Sequence, residues 1–420
     1  MRPLLVLALI GAVVMSACGA PATASLSAPK KSATKSASIH ADAQGGISGV
    51  LADLHGWHWQ DITNNMGALQ AMGFTALQIS PHTASCSGAY GGLGYDPSDF
   101  TDFSSGFGSH DQLYWLVQTT HDFGMQIYAD MVMNHMCTHP DYVYNKFGWG
   151  DFHHNGTIQN WADQWQLEND DLEGLNDLSQ DSEYVRGQLW AYLVQTNNLG
   201  FDGYRLDAAK HVPLWYWSGN ITNNTASWGK YTYGEVYDAN LDYQHQYVNA
   251  GMAVTDYNLY FAMQRAFQLG GDLSQLDGAG MALRDGSAAL TFVENGDVAA
   301  PQNRWLAYGF LTAYPGYPMF HGVQLGNSET TNLVWIHTHK ASGTYLSRYH
   351  DHDTLVFERQ GNLLAGFNQN GSWRQVGVQT SWSSTRLHDY TGHGEDVWTD
   401  GSGRVTLNIP PTSYTLYGTY

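Results

Sequence analysis

Three acids and one arginine are spaced so that they could do chemistry together. In GFDGYRLDAAKH, residues 200–211, Arg205 and Asp207 lie two positions apart. Side chains at i and i+2 of a β-strand point the same way, so in a strand both would face one side. A guanidinium beside a carboxyl favours the ionised form, the state that a carboxylate nucleophile needs. A stabilising ion pair would use the same two residues. Glu235 lies in the next apolar run, YTYGEV, and Asp297 follows another, LTFVEN. Acids that converge repel, which raises the pKa of at least one and leaves it able to donate a proton near neutral pH. Two carboxyls about 5 Å apart, one a nucleophile and one a proton donor, are what retaining cleavage of a glycosidic bond requires.

Something must bring positions 205, 207, 235 and 297 to one place. Short apolar runs at 46–54, 75–80, 126–133, 201–207, 231–236, 252–257, 290–295 and 317–321 read as strands. Helical periodicity fills several of the gaps, at 62–72, 109–123, 184–199 and 259–267. Eight strands with intervening helices predict an α/β fold, a (β/α)8 TIM barrel over 45–325 whose C-terminal strand ends hold the acids. A doubly wound sheet shares this rhythm. The stretch 136–182 breaks it: rich in Asn, Asp, Gly, His and Trp, it reads as a functional loop or inserted subdomain after the third strand. Beyond 325 the helices are expected to stop. Short strands such as TLVFERQ, NLLAGFNQ and RVTLNIP then predict a C-terminal antiparallel β-sandwich over 326–420.

Four blocks in order, DMVMNH (130–135), GYRLDAAKH (203–211), GEV (234–236) and FVENGD (292–297), resemble those of the α-amylase family of retaining glycoside hydrolases. The long loop after the third strand sits where that family places its domain B. The resemblance implies Asp207 as nucleophile, Glu235 as general acid/base and Asp297 as the acid that steadies an oxocarbenium-like sugar. It implies that Arg205 orients Asp207, that His135 contacts the sugar at the cleavage point, and that Tyr95 stacks on its face. Lys210 and His211 would lie on the leaving-group side. The implied substrate is an α-1,4-glucan such as starch, glycogen or maltooligosaccharide, cut internally. Glucan transfer and exo-release of small maltooligosaccharides are sibling activities on the same fold; a non-catalytic glucan-binding lipoprotein is the reading from another class. The resemblance also implies a structural Ca2+ held by Asn134, Asp171, Asp177 and the carbonyl of His211, oxygen donors that suit a hard cation.

The fourth block departs from the family. A His normally stands between its Asn and Asp, and here that position is Gly296. Losing one hydrogen bond that tightens toward the transition state costs roughly 2–4 kcal/mol. His82, His321 or another residue would have to compensate.

Composition bounds the partners. A formal net charge of −20 argues against nucleic acid. The 15 Trp and 26 Tyr suit either a large aromatic core or the flat C–H faces of sugars. Arg2, the apolar run 4–15 and the small residues before Cys18 read as an export signal over 1–18. MSAC resembles a lipobox, which would make Cys18 a lipidation site and anchor the chain to a membrane; the other reading is a plain signal peptide. Residues 19–44 read as a flexible tether. The chain is therefore expected outside the cytoplasm, secreted or held at the cell envelope, as a monomer. In that setting Cys86 and Cys137 predict one disulfide rather than two separate buried thiols.

Overall fold

Eight short strands run parallel and close on themselves in sequential order: β1 (Leu51–Asp53), β2 (Ala76–Gln78), β3 (Gln126–Met131), β4 (Gly203–Leu206), β5 (Tyr231–Gly234), β6 (Ala253–Thr255), β7 (Ala289–Phe292) and β8 (Tyr317–His321). β8 returns to pair with β1, Leu51 opposite Met319. Closure decides for the barrel over the doubly wound sheet. The computed structural model describes residues 49–88 and 93–420; the expected export signal, the tether and Cys18 lie outside them.

The strands are buried on both faces, and their two-residue period sorts them. Ile127, Ala129 and Met131 of β3 and Tyr204 and Leu206 of β4 pack outward under the helices. Tyr128, Tyr233, Leu290, Phe292 and Tyr317 fill the interior. Tyrosines dominate that plug: Tyr231 meets Tyr317 with ring centroids 5.5 Å apart, and the Tyr233 hydroxyl donates to Gln78 Oε1. Gly203 makes room for it, since a Cβ there would stand 2.5 Å from Tyr231 O and 2.8 Å from the Tyr128 ring.

Helices α1 (Trp59–Ala71), α2 (His110–Asp122), α3 (Glu183–Leu199), α4 (Leu241–Asn249) and α5 (Tyr257–Ala266) surround the barrel. Their ends follow local rules. Ser109 and Gln112 cap α2 reciprocally. Ser182 caps the start of α3, and Gly200 ends it at φ 102°. Two later helices complete the ring, α6 (Arg304–Ala313) and α7 (Ser328–Lys340). α7 lies beyond residue 325, so helices continue past the point where they were expected to stop. Its sequence, SETTNLVWIHTHK, is rich in β-branched residues and His, weak helix formers that packing overrides.

Between β3 and α3 the chain builds a small subdomain, held by a two-residue ribbon of His135–Met136 against Asn176–Asp177. A disulfide joins Cys86 to Cys137, spanning 51 residues from the loop after β2 to the start of this insert. The C-terminal strands are β9 (Tyr345–His350), β10 (Thr354–Arg359), β11 (Leu363–Asn368), β12 (Arg374–Gln379), β13 (Arg386–Asp389), β14 (Val397–Trp398), β15 (Arg404–Ile409) and β16 (Ser413–Gly418). They form a six-stranded sheet, β9-β10-β11-β16-β13-β14, and a β12–β15 pair. Val356 and Leu364 face that pair, whereas Phe357 and Phe367 turn to the barrel, where both meet Phe310 of α6 within 6.0 Å.

Candidate active site

Period-two registers carry the charged residues upward from the tyrosine plug. On β3 the step from Tyr128 leads to Asp130, on β4 from Gly203 to Arg205 and Asp207, on β5 from Tyr233 to Glu235, and on β1 from Leu51 to Asp53. All end at the C-terminal mouth, which opens into a cavity of about 630 Å³. Asp207, Glu235, Asp297, Arg205, His135, Tyr95, Lys210 and His211 all line it. Residues not singled out from the sequence line it too, among them Asp53, His55, Gln78, Trp161, Tyr237 and Asn295.

Arg205 organises the acids. Its Nη1 donates to Asp207 Oδ1 at 2.8 Å and to Asp130 Oδ1 at 2.7 Å, while Nη2 reaches Glu235 Oε2 at 3.1 Å. Asp130 is fully buried, opposite Arg205 in the β3–β4 ladder, and it accepts from the Tyr95 hydroxyl at 2.6 Å. Sequence reasoning passed over Asp130, although it opens the DMVMNH block. Glu235 also accepts from the Ala208 amide at 3.1 Å, with Ala208 in a left-handed conformation at φ 47°. Such backbone strain persists only where its surroundings hold it.

One guanidinium among four acids leaves negative charge in excess. Burial pushes the Asp207 carboxyl well above the usual range, and Glu235 and Asp130 add to the rise against the pull of Arg205. Arg205 does pull Asp207 down, as expected, but burial and the neighbouring acids outweigh it. Burial also pushes Asp130 up to about 6. Partial burial and the charge of Glu235 bring Asp297 to about 6, although its residue surface is exposed. Glu235 lies low: burial raises it, but Arg205, the Ala208 amide and Asp297 outweigh that.

The remaining predicted residues are placed as follows. His135 is buried and held neutral, burial bringing it to about 4. Its Nε2 contacts Tyr95 O at 2.8 Å. A carbonyl only accepts, so Nε2 carries the proton and Nδ1 accepts from the Asn134 amide at 3.3 Å. Both ring nitrogens are thus engaged. Tyr95 turns its ring beneath the Arg205 guanidinium, 5.5 Å from the centroid. Lys210 donates to Tyr237 O at 2.9 Å. His211 contacts Leu167 O of the insert through Nδ1 at 3.1 Å. His82 contacts Thr196 at 2.9 Å behind the barrel wall, and His321 pairs with Asp53 at 2.7 Å.

The proposed cation ligands can be tested by their unmet oxygens. Asn134 Oδ1 and Asp177 Oδ1 are buried without a hydrogen-bond partner. Asn134 directly precedes His135, which pairs with Asp177 across the ribbon, so the two residues lie within one short stretch of the insert. Asp171 Oδ1 already accepts from the Asp177 amide at 3.2 Å, whereas the buried Oδ1 of Asp170 has no partner. Unpaired buried oxygens are costly unless a cation meets them. Among the described residues no group of three His, Cys, Asp or Glu forms a metal cluster, so a cation here would depend on Asn134 and main-chain carbonyls as well. The donors fit a hard cation, with Asp170 beside Asp171 as a further source of oxygen.

Comparison with known proteins agrees with this geometry. The profile described as "Alpha amylase, catalytic domain" matches residues 40–277. The chain belongs to the α-amylase family. A second profile, "Alpha-amylase C-terminal", matches residues 363–418. The β/α-amylase of Paenibacillus polymyxa is 27% identical over 82% of this chain, and the aligned region spans 30% of that relative's length. The α-amylase of Geobacillus thermoleovorans, solved with acarbose, superposes with a TM-score of 0.74 at 21% identity, covering 88% of this chain and 98% of its own. CldA, a cyclomaltodextrin glucanotransferase, superposes with a TM-score of 0.76 at 22% identity, covering 86% and 91%. This family member is a glycoside hydrolase on a TIM barrel with a C-terminal antiparallel sheet domain.

Proposed function

We propose that the protein hydrolyses internal α-1,4 bonds of starch-like glucans with retention, and that Asp207, Glu235 and Asp297 do the chemistry. The observation that carries the reading is the Arg205 fork, which holds Asp207 and Glu235 on neighbouring nitrogens. Carboxyls that share one guanidinium suit the short spacing of retaining enzymes, about 5 Å. Asp207 attacks the anomeric carbon while Glu235 gives its proton to the departing glycosidic oxygen. Glu235 then takes a proton from water, whose oxygen displaces Asp207. For the reaction Asp207 must be ionised, held so by Arg205 at 2.8 Å, and Glu235 must hold a proton, so its 3.1 Å contact with Arg205 is the one that lengthens. Asp297 supplies negative charge beside the oxocarbenium-like ring. Support for internal attack is the open rim, where Trp161, Glu173 and Tyr237 are exposed.

Asn134, Asp177, Asp170 or Asp171 and the His211 carbonyl would hold Ca2+, which supplies structural cross-linking between the insert and the barrel. On the same reading, residues 1–18 export the chain and Cys18 is a lipid attachment point. Mass spectrometry of the mature N-terminus tests both.

Glucan transfer is the second reading, favoured by Trp161 and Tyr237. Trp161 meets His211 edge-on at 6.0 Å, and the Tyr237 carbonyl accepts from Lys210. These aromatic faces on the proposed leaving-group side could hold an acceptor sugar in place of water. Soluble starch followed by iodine colour and reducing ends separates the readings. Fast colour loss with few new ends means internal hydrolysis, and colour change without new ends means transfer. Asp207→Asn should lower turnover by a factor of at least about 10⁴ while the variant still binds glucan; substantial residual turnover removes Asp207 as nucleophile.

A further inference from the structure

The cleft wall beside Asp297 is shared between two distant parts of the chain. A Cβ at Gly296 would stand 2.8 Å from both Cε1 and Nδ1 of His55. The backbone at 296 is outside the left-handed region, so space alone keeps the position glycine. The His55 imidazole fills the volume that any side chain at 296 would need.

His55 comes from the other side of the mouth. It lies two residues beyond Asp53, on the inward register of β1. Its amide donates to Asp53 Oδ1 at 3.2 Å, and its ring meets Tyr95 edge-on with centroids 5.4 Å apart. Nε2 is buried and has no hydrogen-bond partner. Burial holds the ring below the usual histidine range, and it stays neutral despite the nearby Asp53. A neutral imidazole offers one donor and one acceptor, as a sugar hydroxyl does. Of the other histidines named above, His135 is engaged through both nitrogens, and His211, His321 and His82 each spend one nitrogen, on Leu167, Asp53 and Thr196. A buried ring nitrogen left unpaired in a cleft wall costs stability unless something entering the cleft meets it.

We propose that His55 is the hydrogen-bonding residue for the sugar at the point of cleavage, reaching from β1 into the space that Gly296 leaves open after β7. This rests on the hydrolase reading above. It accounts for a fourth block that lacks its histidine while its acids remain intact.

A positional swap tests it. His55→Ala, Gly296→His and the double variant are compared with the natural protein for kcat and KM on maltoheptaose, with melting temperature as a folding control. His55→Ala should lower kcat/KM about 100-fold, chiefly through kcat, as loss of one transition-state hydrogen bond does. Gly296→His alone should also lose activity, because its Cβ collides with His55. The double variant should regain at least about tenfold over His55→Ala, since an imidazole returns to the same wall. The idea is overturned if His55→Ala stays within about threefold of the natural protein, or if the double variant is no better than His55→Ala. Failure of the hydrolase reading looks different: the natural protein would cut no glucan. Maltoheptaose binding in a Glu235→Gln background, read by tryptophan fluorescence, then still decides. Weaker binding with His55→Ala supports the role, and unchanged binding overturns it.

Discussion

Arg205 brings one positive charge to Asp130, Asp207, Glu235 and Asp297, and the deficit has a measurable consequence at Asp297. Its carboxyl is raised from 3.8 to about 6. Between these values the folded protein keeps a proton that the unfolded chain has lost, so stability falls as pH rises through that window. Above about 6 the folded state carries the full penalty; below about 3.8 the two states bind the proton alike. Asp297→Asn should therefore raise the melting temperature at pH 8 and leave it unchanged near pH 3.5. Because Asp297 is exposed, the rise should be small. A gain of equal size at both pH values would mean that packing, not charge, is responsible. The same substitution should remove most turnover.

At the scale of elements, the positions of the acids were legible because strands are simple. A two-residue period and a parallel barrel are enough to send Arg205, Asp207 and Glu235 to one mouth. The partners that reach them from elsewhere were not legible. Asp130 looks like any buried strand residue until its ladder partner is known to be Arg205. His55 gains meaning only when Gly296 is beside it. α6 was missed for another reason. Eight of its ten residues are buried, between the barrel and the C-terminal sheet, so it carries no polar face to mark its period. Gly203 ties the strand register to the site. Gly203→Ala would drive a Cβ against the Tyr231 carbonyl and the Tyr128 ring, which are backbone and a packed plug. Overpacking of this kind costs about 1–3 kcal/mol. It would also tilt β4 two residues before Arg205, so urea midpoint and kcat should fall together. Normal stability with normal kcat would show that the plug is looser than described.

At the scale of the molecule, the insert between β3 and α3 needs a tie to the barrel, because it has little core of its own. The Cys86–Cys137 disulfide ties its beginning, and His211–Leu167 touches its helix. The ribbon carrying Asn134 and Asp177 lies next to His135, and His135 holds the Tyr95 carbonyl. A cation on the unmet oxygens of Asn134 and Asp177 would therefore brace the same wall that bears Tyr95. A ligand that binds only the folded state at 100 times its Kd adds about 2.7 kcal/mol. For a chain this large that is a rise of roughly 3–4 °C. Chelation with EDTA should lower the melting temperature by that amount, and added Ca2+ should restore it. Asp177→Asn should abolish the response to EDTA and Ca2+, whatever the variant's own melting temperature, which also reflects the changed 2.6 Å contact of Asp177 with His153. Mg2+ should rescue poorly, because it demands a tight octahedron that Asn and carbonyl oxygens on two chain segments do not readily form. A melting temperature indifferent to EDTA in the natural protein would leave the unmet Asn134 and Asp177 oxygens to water, and would place the brace in the disulfide and the His211–Leu167 contact.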